Sequence, residues 1–458
     1  MKIPLVPTSL LLAHLACSAC ASQSRLSLPP IEQISFDTDA PPPEGAPGFS
    51  NPQAAWMAVD ARTVAALAGD RSFEIAQSWL DTQSAYAEAE IVSREAWPSL
   101  VPAIRFFSLD GQDQSTVGDF VDVDKQNLEL GAGLILEYNP AEARIAALAA
   151  RQRADATAVR SKALTRASVL ESQELFDHLL FAQLDLAIAR ELFEGARSVV
   201  RIARARQSQG RGLRADRLRA ESLEAEAQGE VLRAEANLRE NSILLAEHLR
   251  ISPTITLFAP EPRIEPLGLF DDELDLDALL EEAVTTRPEV AEALLRVEAA
   301  ENELTGARLG PWVPSLFAYY EGSGFGENFG NLKDREELAV GLQWDLSPAR
   351  FARSQLARLE LQDEELALAH TRESIRAAVT RYFEWVRIAA PLIEQAGRRV
   401  EASEEALSVV QERYEAGSAL ILEVIEVQRE LALARRQWVR VTLDNNRSER
   451  RLAFAAGR

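Results

Sequence analysis

The chain has 458 residues, enough for about two or three ordinary domains, and it is acidic, with 49 Lys plus Arg against 71 Asp plus Glu and a formal net charge of −22. That balance argues against non-specific nucleic-acid binding, which needs a positive surface to displace counterions. The two cysteines, Cys17 and Cys20, sit together near the start and the four histidines are scattered, so the body carries no disulfide framework and no thiolate metal site; with no HExxH, GxSxG or glycine-rich phosphate loop either, no enzyme signature and no cofactor site are visible.

Residues 1–21 read as an export signal, with Lys2, the apolar run LLLAHLA, and the small residues Ala19, Cys20 and Ala21. Two readings of its end stand side by side, cleavage after Ala21 or acylation of Cys20. Residues 22–58 follow as a Pro-rich, extended segment containing APPPEGAPG. No later segment reaches the ~18–20 consecutive apolar residues of a transmembrane helix. An exported chain of this kind enters a membrane with β-strands or not at all.

Beyond the linker the chain divides into two similar halves, 59–262 and 263–458. GLILEYNPAEARIAAL from Gly133 matches GLQWDLSPARFARSQL from Gly341, and WPSL at 97–100 matches VPSL at 313–316. RQSQGRGLRADRLRAE at 206–221 likewise matches RYEAGSALILEVIEVQ at 413–428. Each half reads as a helix, two strand-like stretches, one very long helix, a glycine turn and a returning helix. The period far exceeds that of solenoid repeats and implies a duplication.

In the first half the strands are expected at about 98–108 and 128–138. The second alternates with period two, placing Leu128, Leu130, Leu134, Leu136 and Tyr138 opposite Glu129, Gly131, Gly133 and Glu137. In the second half the strands are expected at 314–322 and 337–346, where Leu338, Val340, Leu342 and Trp344 oppose Glu337, Gly341 and Asp345. A greasy face backed by a small, polar face suits a strand between lipid and a watery lumen. Pro102 is awkward inside its strand. The stretches 109–127 and 323–336 read as solvated loops, and DFVDVDK at 119–125 lacks the ligand spacing of a calcium loop.

Helices are expected over 141–209 and 213–250, then over 349–416 and 420–455. A helix of such length reaches about 100 Å, too long for a compact core, and packs as a coiled coil or bundle. The last helix offers an a/d seam running Val424, Val427, Leu431, Ala434, Trp438, Val441, Asn445, Ser448, Leu452 and Ala455. Pro391 is expected to kink or break its helix.

This order of motifs, twice over, resembles the TolC family of outer-membrane efflux proteins across roughly residues 60–458. The resemblance rests on AVTTRPEVAEALLRVEAAENEL at 283–304, PSL opening a strand, GL…SPA leading from strand to long helix, and RYEAGSALILEVIEVQREL from Arg413. The first half departs from it, with RSFEIAQ where the second has Arg-Pro-Glu. The resemblance implies a mainly α fold with a membrane β-barrel portion. A homotrimer would close a 12-stranded barrel in outer-membrane lipid and continue as an α-helical tunnel through the periplasm of a diderm bacterium. It also implies a passive exit duct for substrates pumped by an inner-membrane transporter through a periplasmic adaptor. The adaptor would meet the tip turns at Gly210, Gly212, Leu213, Gly417, Ser418 and Leu420.

By motif match the pore constriction falls on Glu423 and Glu426, with Asp216 as the first-half counterpart. Glu423 and Glu426 are neighbours on one helix face, and in a trimer they would stack as acidic rings that favour cations. Taken alone the pair also reads as acids at the positive end of a helix dipole, with Glu426 paired to Arg429; the duplicated tip motif favours the constriction. A rival for the whole chain is an exported coiled-coil scaffold without a pore. It accounts for the helices but not for lipid-like alternation in both halves.

Overall fold

The computed structural model describes residues 55–116, 118–210, 212–270 and 275–458. The expected export signal, Cys20 and most of the segment 22–58 lie outside them. In chain order the elements are β1 (Trp56–Ala58), α1 (Ala61–Arg71), α2 (Phe73–Arg94), β2 (Ser99–Gln114), β3 (Phe120–Tyr138), α3 (Pro140–Ser208) and α4 (Arg214–His248). They are followed by β4 (Thr256–Phe258), α5 (Leu276–Thr286), α6 (Pro288–Leu309), β5 (Ser315–Gly326), β6 (Lys333–Gln343), α7 (Pro348–Ala416) and α8 (Ile421–Ala456). The two halves repeat helix, helix, strand, strand, long helix, return helix. β1 and β4 add a short parallel pair that joins the segment just ahead of the first half to that half's end.

Both helical pairs that precede the strands break at matching points by different chemistry. Pro288 starts α6 at its first position, where a missing N–H costs nothing. In the first half Ser72 does the same work, its Oγ accepting from the Glu74 N–H at 3.2 Å. The long helices start alike, with Pro140 and Pro348 at their first turn. Asn139 caps α3 by accepting from the Ala141 and Glu142 N–H groups, both at 3.1 Å. Its Nδ2 also donates to the Val313 carbonyl at 3.0 Å, tying the strand-to-helix joint of the first half to the helix-to-strand joint of the second.

The four long strands form one antiparallel sheet in the order β2-β3-β5-β6. Its register aligns the greasy positions of all four: Leu100 faces Leu134, Leu134 faces Tyr320, and Tyr320 faces Leu338. Because cross-strand partners share a face, Leu100, Ile104, Leu130, Leu134, Leu338, Val340 and Leu342 make one continuous apolar surface, all of it exposed in the single chain. The opposite face carries Arg105 and Glu129, 3.4 Å apart, and Ser323, whose Oγ donates to Glu129 at 3.1 Å. Gly131 is forced there, since a Cβ would stand 2.5 Å from that of Ser323.

Two expectations need correction. The first-half strands are far longer than about ten residues, and the stretch 109–127 is not a loop: β2 and β3 stay paired from Ser99↔Ile135 to Gln114↔Phe120. The acidic DFVDVDK runs as strand because a water-exposed antiparallel ribbon tolerates charge, and Lys125 bridges Asp113 at 2.9 Å. Pro391 lies within α7, which continues from Pro348 to Ala416. The proline is exposed, so water can serve the carbonyl that loses its partner.

The seam in α8 is also wider than the heptad reading. Val424, Leu431, Ala434, Asn445, Leu452 and Ala455 are buried, but so are Ile421, Ile425, Gln428, Ala432, Val439, Leu443 and Ala456. The helix packs on α7 and on α3 at once and needs a second stripe for the second neighbour. Asn445 and its neighbours, which interrupt the apolar seam, hold the connection between halves. Asn446 accepts from the Leu267 N–H at 3.0 Å and donates to the Glu265 carbonyl at 2.9 Å. Glu449 accepts from the Leu269 N–H at 2.7 Å and from Asn445 at 2.8 Å.

Candidate functional site

About 100 Å of helix separates the sheet from the two turns at the far end. α7 stops because Gly417 takes a left-handed conformation at φ +82. Its N–H donates to the Tyr414 carbonyl at 3.0 Å, and the Ser418 N–H to Arg413 at 2.8 Å; these bonds satisfy carbonyls the helix end leaves open. Gly210 does the same after α3, at φ +72. Gly212 lies so close that a Cβ would meet Arg206 Cβ at 3.0 Å.

The tip has its own core. Tyr414, Ile421, Val424 and Ile425 of the second half pack with Val199, Val200, Ala203, Ala220, Leu223 and Ala227 of the first. Burying Val424 and Ile425 turns the flanking acids outward. Glu423 is half-buried and Glu426 exposed. Glu423 reaches back to accept from the Leu420 N–H at 3.1 Å, the carboxylate half of a capping box, with Arg413 at 3.8 Å. Among the described residues nothing pairs with Glu426. Arg429, its expected i+3 partner, is turned to Glu226 instead. Asp216 stands in the first turn of α4, 3.9 Å from Arg219. Leu213 and Leu420, at the starts of the return helices, are both 69% exposed.

Sequence reasoning missed Arg206. Its guanidinium lies 4.7 Å from the Tyr414 ring centroid and donates to the Glu415 carbonyl at 3.3 Å, crossing from one half's tip to the other's. Burial pushes the Tyr414 hydroxyl up, against the pull of Arg206. Also missed was a row of arginines on α8. Arg435 holds Glu191 and Glu404, Arg436 holds Asp185 and Glu230, Arg450 holds Asp177, and Arg451 holds Glu174. Burial pushes the Asp177 carboxyl up to about 6, opposed by Arg450 and Arg447. The signal was present, since arginines at 429, 435, 436, 447, 450 and 451 recur along one helix. Glu226, Glu191, Asp185, Glu230, Asp177 and Glu174 lie more than 200 residues from the arginines that hold them and could not be matched by spacing.

No three His, Cys, Asp or Glu side chains gather as metal ligands among the described residues, and no described helix is long and apolar enough to cross a membrane.

Residues 279–458 match the family model of outer membrane efflux proteins. Compared with curated proteins, the chain has no sequence match. Among solved structures it is similar to the Campylobacter jejuni CmeC outer membrane channel, with 14% identity, TM-score 0.74, and 94% of this chain and 93% of that one covered. It is similar to the open state of the Neisseria gonorrhoeae MtrE outer membrane channel, with 17% identity, TM-score 0.69, and coverage of 94% and 98%. A membrane protein from Pseudomonas aeruginosa shares 18% identity at TM-score 0.74, with coverage of 90% and 99%. The resemblance to TolC-family outer-membrane efflux proteins is thereby borne out, by the family model over residues 279–458 and by the fold over most of the chain. The matched family is one of channels rather than enzymes.

Proposed function

We propose that the chain is an outer-membrane efflux protein and assembles as a homotrimer whose 12 strands close a barrel in lipid, continuous with a helical tunnel across the periplasm. The observation that carries the reading is the four-stranded sheet, with one continuous apolar face and unpaired edges on β2 and β6. Open edges are not tolerated in hydrocarbon, and three copies give an even-numbered barrel. The trimer is a passive duct, two repeats per chain (59–262 and 263–458), for substrates driven by an inner-membrane transporter. A periplasmic adaptor meets the tips at Gly210, Gly212, Leu213, Gly417, Ser418 and Leu420. Leu213 and Leu420, exposed at the matching turns of the two halves, support a docking surface there.

Glu423, Glu426 and Asp216 are the constriction. The unpaired carboxylate of Glu426 is the strongest of the three candidates, since Glu423 is partly committed to its helix start. Cys20 is the site of lipidation if the export signal ends there. The test of assembly is extraction of the full chain from membranes. The duct requires detergent and runs as a trimer that heating converts to monomer. A chain that stays soluble and monomeric without detergent refutes it.

A further inference from the structure

The β2–β3 ribbon overshoots the rest of the sheet. β5 ends at Gly326, opposite Leu128, and β6 begins at Lys333, opposite Phe325. Beyond that level eight further pairs, from Phe107↔Asn127 to Gln114↔Phe120, have no neighbouring strand among the described residues. They carry the ribbon about 27 Å outward. The next copy's β6 would stop at the same height, so the ribbon stands alone on both sides in the trimer proposed above, on which this inference rests.

The polarity of the ribbon inverts where it leaves the sheet. Pairing continues without a bulge, so even-numbered residues stay on the lipid side and odd-numbered ones on the lumen side. Below, the even face is Leu100, Ile104, Leu128 and Leu130; above, it is Asp110, Gln112, Asp122 and Asp124, polar apart from Phe120 at the turn. The lumen side changes the opposite way, from Arg105 and Glu129 to Phe107, Leu109, Val121 and Val123, crossed by the Asp113–Lys125 ion pair. Phe107 is 53% exposed and Val121 44%. A lone two-stranded ribbon is marginal in water, and this one presents its apolar side to the axis of the proposed barrel. Gly111, at φ +142 with open space around it, marks a place where the ribbon can bend.

We propose that the three ribbons of a trimer lean together over the outer mouth and pack Leu109, Val121 and Val123 against one another, making a second gate at the exit. The partner of each apolar face is the same face on the next copy. The axis of a 12-stranded barrel lies about 12 Å from its wall, within the ribbon's reach. The acidic outer face disfavours the alternative of lying back on anionic lipid headgroups. An apolar closure of this kind shuts by excluding water.

Two measurements on the full-length chain test this. A short bismaleimide should join Val123→Cys chains into dimers in the intact trimer and leave Asp122→Cys chains unjoined, with the unsubstituted chain as control. In whole cells, a membrane-impermeant maleimide should label Ala103→Cys, on the lumen face below the ribbon, about tenfold faster once Leu109→Thr, Val121→Thr and Val123→Thr hydrate the closure. Threonine keeps the strand preference, so the ribbon itself survives. Equal cross-linking at 122 and 123, or an unchanged labelling rate, overturns the exit gate while leaving the trimer and duct intact. Protection of Val123→Cys in lipid vesicles but not in detergent places lipid on the face and also overturns it. Absence of any trimer removes the duct reading and this inference together.

Discussion

Arg436 is the residue through which α8 holds both helices of the first-half hairpin. Its Nε donates to Asp185 of α3 at 2.5 Å and its Nη2 to Glu230 of α4 at 2.9 Å. All three side chains are three-quarters or more shielded from solvent. Arg436→Met keeps much of the aliphatic stem and removes the charge, leaving two carboxylates facing each other without a partner. Breaking a fully buried pair this way costs about 3–5 kcal/mol. Partial exposure here reduces that to about 2–3 kcal/mol. For a chain of this length, with unfolding entropy of roughly 2 cal/mol/K per residue, the loss lowers the thermal midpoint by about 2–3 °C. Circular dichroism of the detergent-solubilised protein reads that shift. Adding Asp185→Asn and Glu230→Gln to Arg436→Met removes the stranded charges and should restore most of it. If Arg436→Met melts within about 0.5 °C of the parent, the bridge does not couple the halves and the reasoning fails.

Gly417→Ala forces a Cβ into a left-handed position beside Arg206 and should cost about 1 kcal/mol, seen as faster proteolysis of the 413–420 turn; Gly229→Ala, mid-helix in α4 and uncrowded, should stabilise by about 0.5–1 kcal/mol instead. Asp177 has a raised folded pKa, so the folded chain binds the extra proton between about pH 6 and pH 4. Relative to Asp177→Asn, the parent should therefore gain about 2–3 kcal/mol as pH falls through that window. A stability difference that does not change with pH contradicts this. On the sheet, Leu134→Arg should cost about 2–4 kcal/mol at the lipid face and deplete folded protein in the outer membrane. Ala339→Arg, on the lumen face, should leave assembly intact, and equal losses at both positions would undo the assignment of faces.

Much of this architecture is legible because its signals are local. Gly210 and Gly417 mark the tips, Pro140 and Pro348 the helix starts, and strict alternation marks β3 and β6. The duplication then supplied the order of elements. The overshoot of β2 and β3 was hidden because alternation persists while its polarity reverses at Phe107 and Leu109, so the stretch resembles a polar loop. Pro391 does not end its helix, because on a wet face water can take up the carbonyl that the proline leaves without a partner. The heptad seam in α8 was half the truth, since one helix packing on two neighbours needs Ile421, Ile425 and Val439 as well. At the tip, Glu423 and Glu426 stood out by spacing. Arg206 did not, because its partner Tyr414 lies 208 residues away and only the fold brings them together.

The most direct test of the duct is single-channel conductance of the purified full-length protein in lipid bilayers, with Glu423→Gln/Glu426→Gln alongside. The account predicts a small, cation-selective conductance that the double substitution enlarges or makes less selective. A channel indifferent to both substitutions moves the constriction elsewhere along the tunnel. Absence of any conductance from protein that inserts as a trimer contradicts the duct itself.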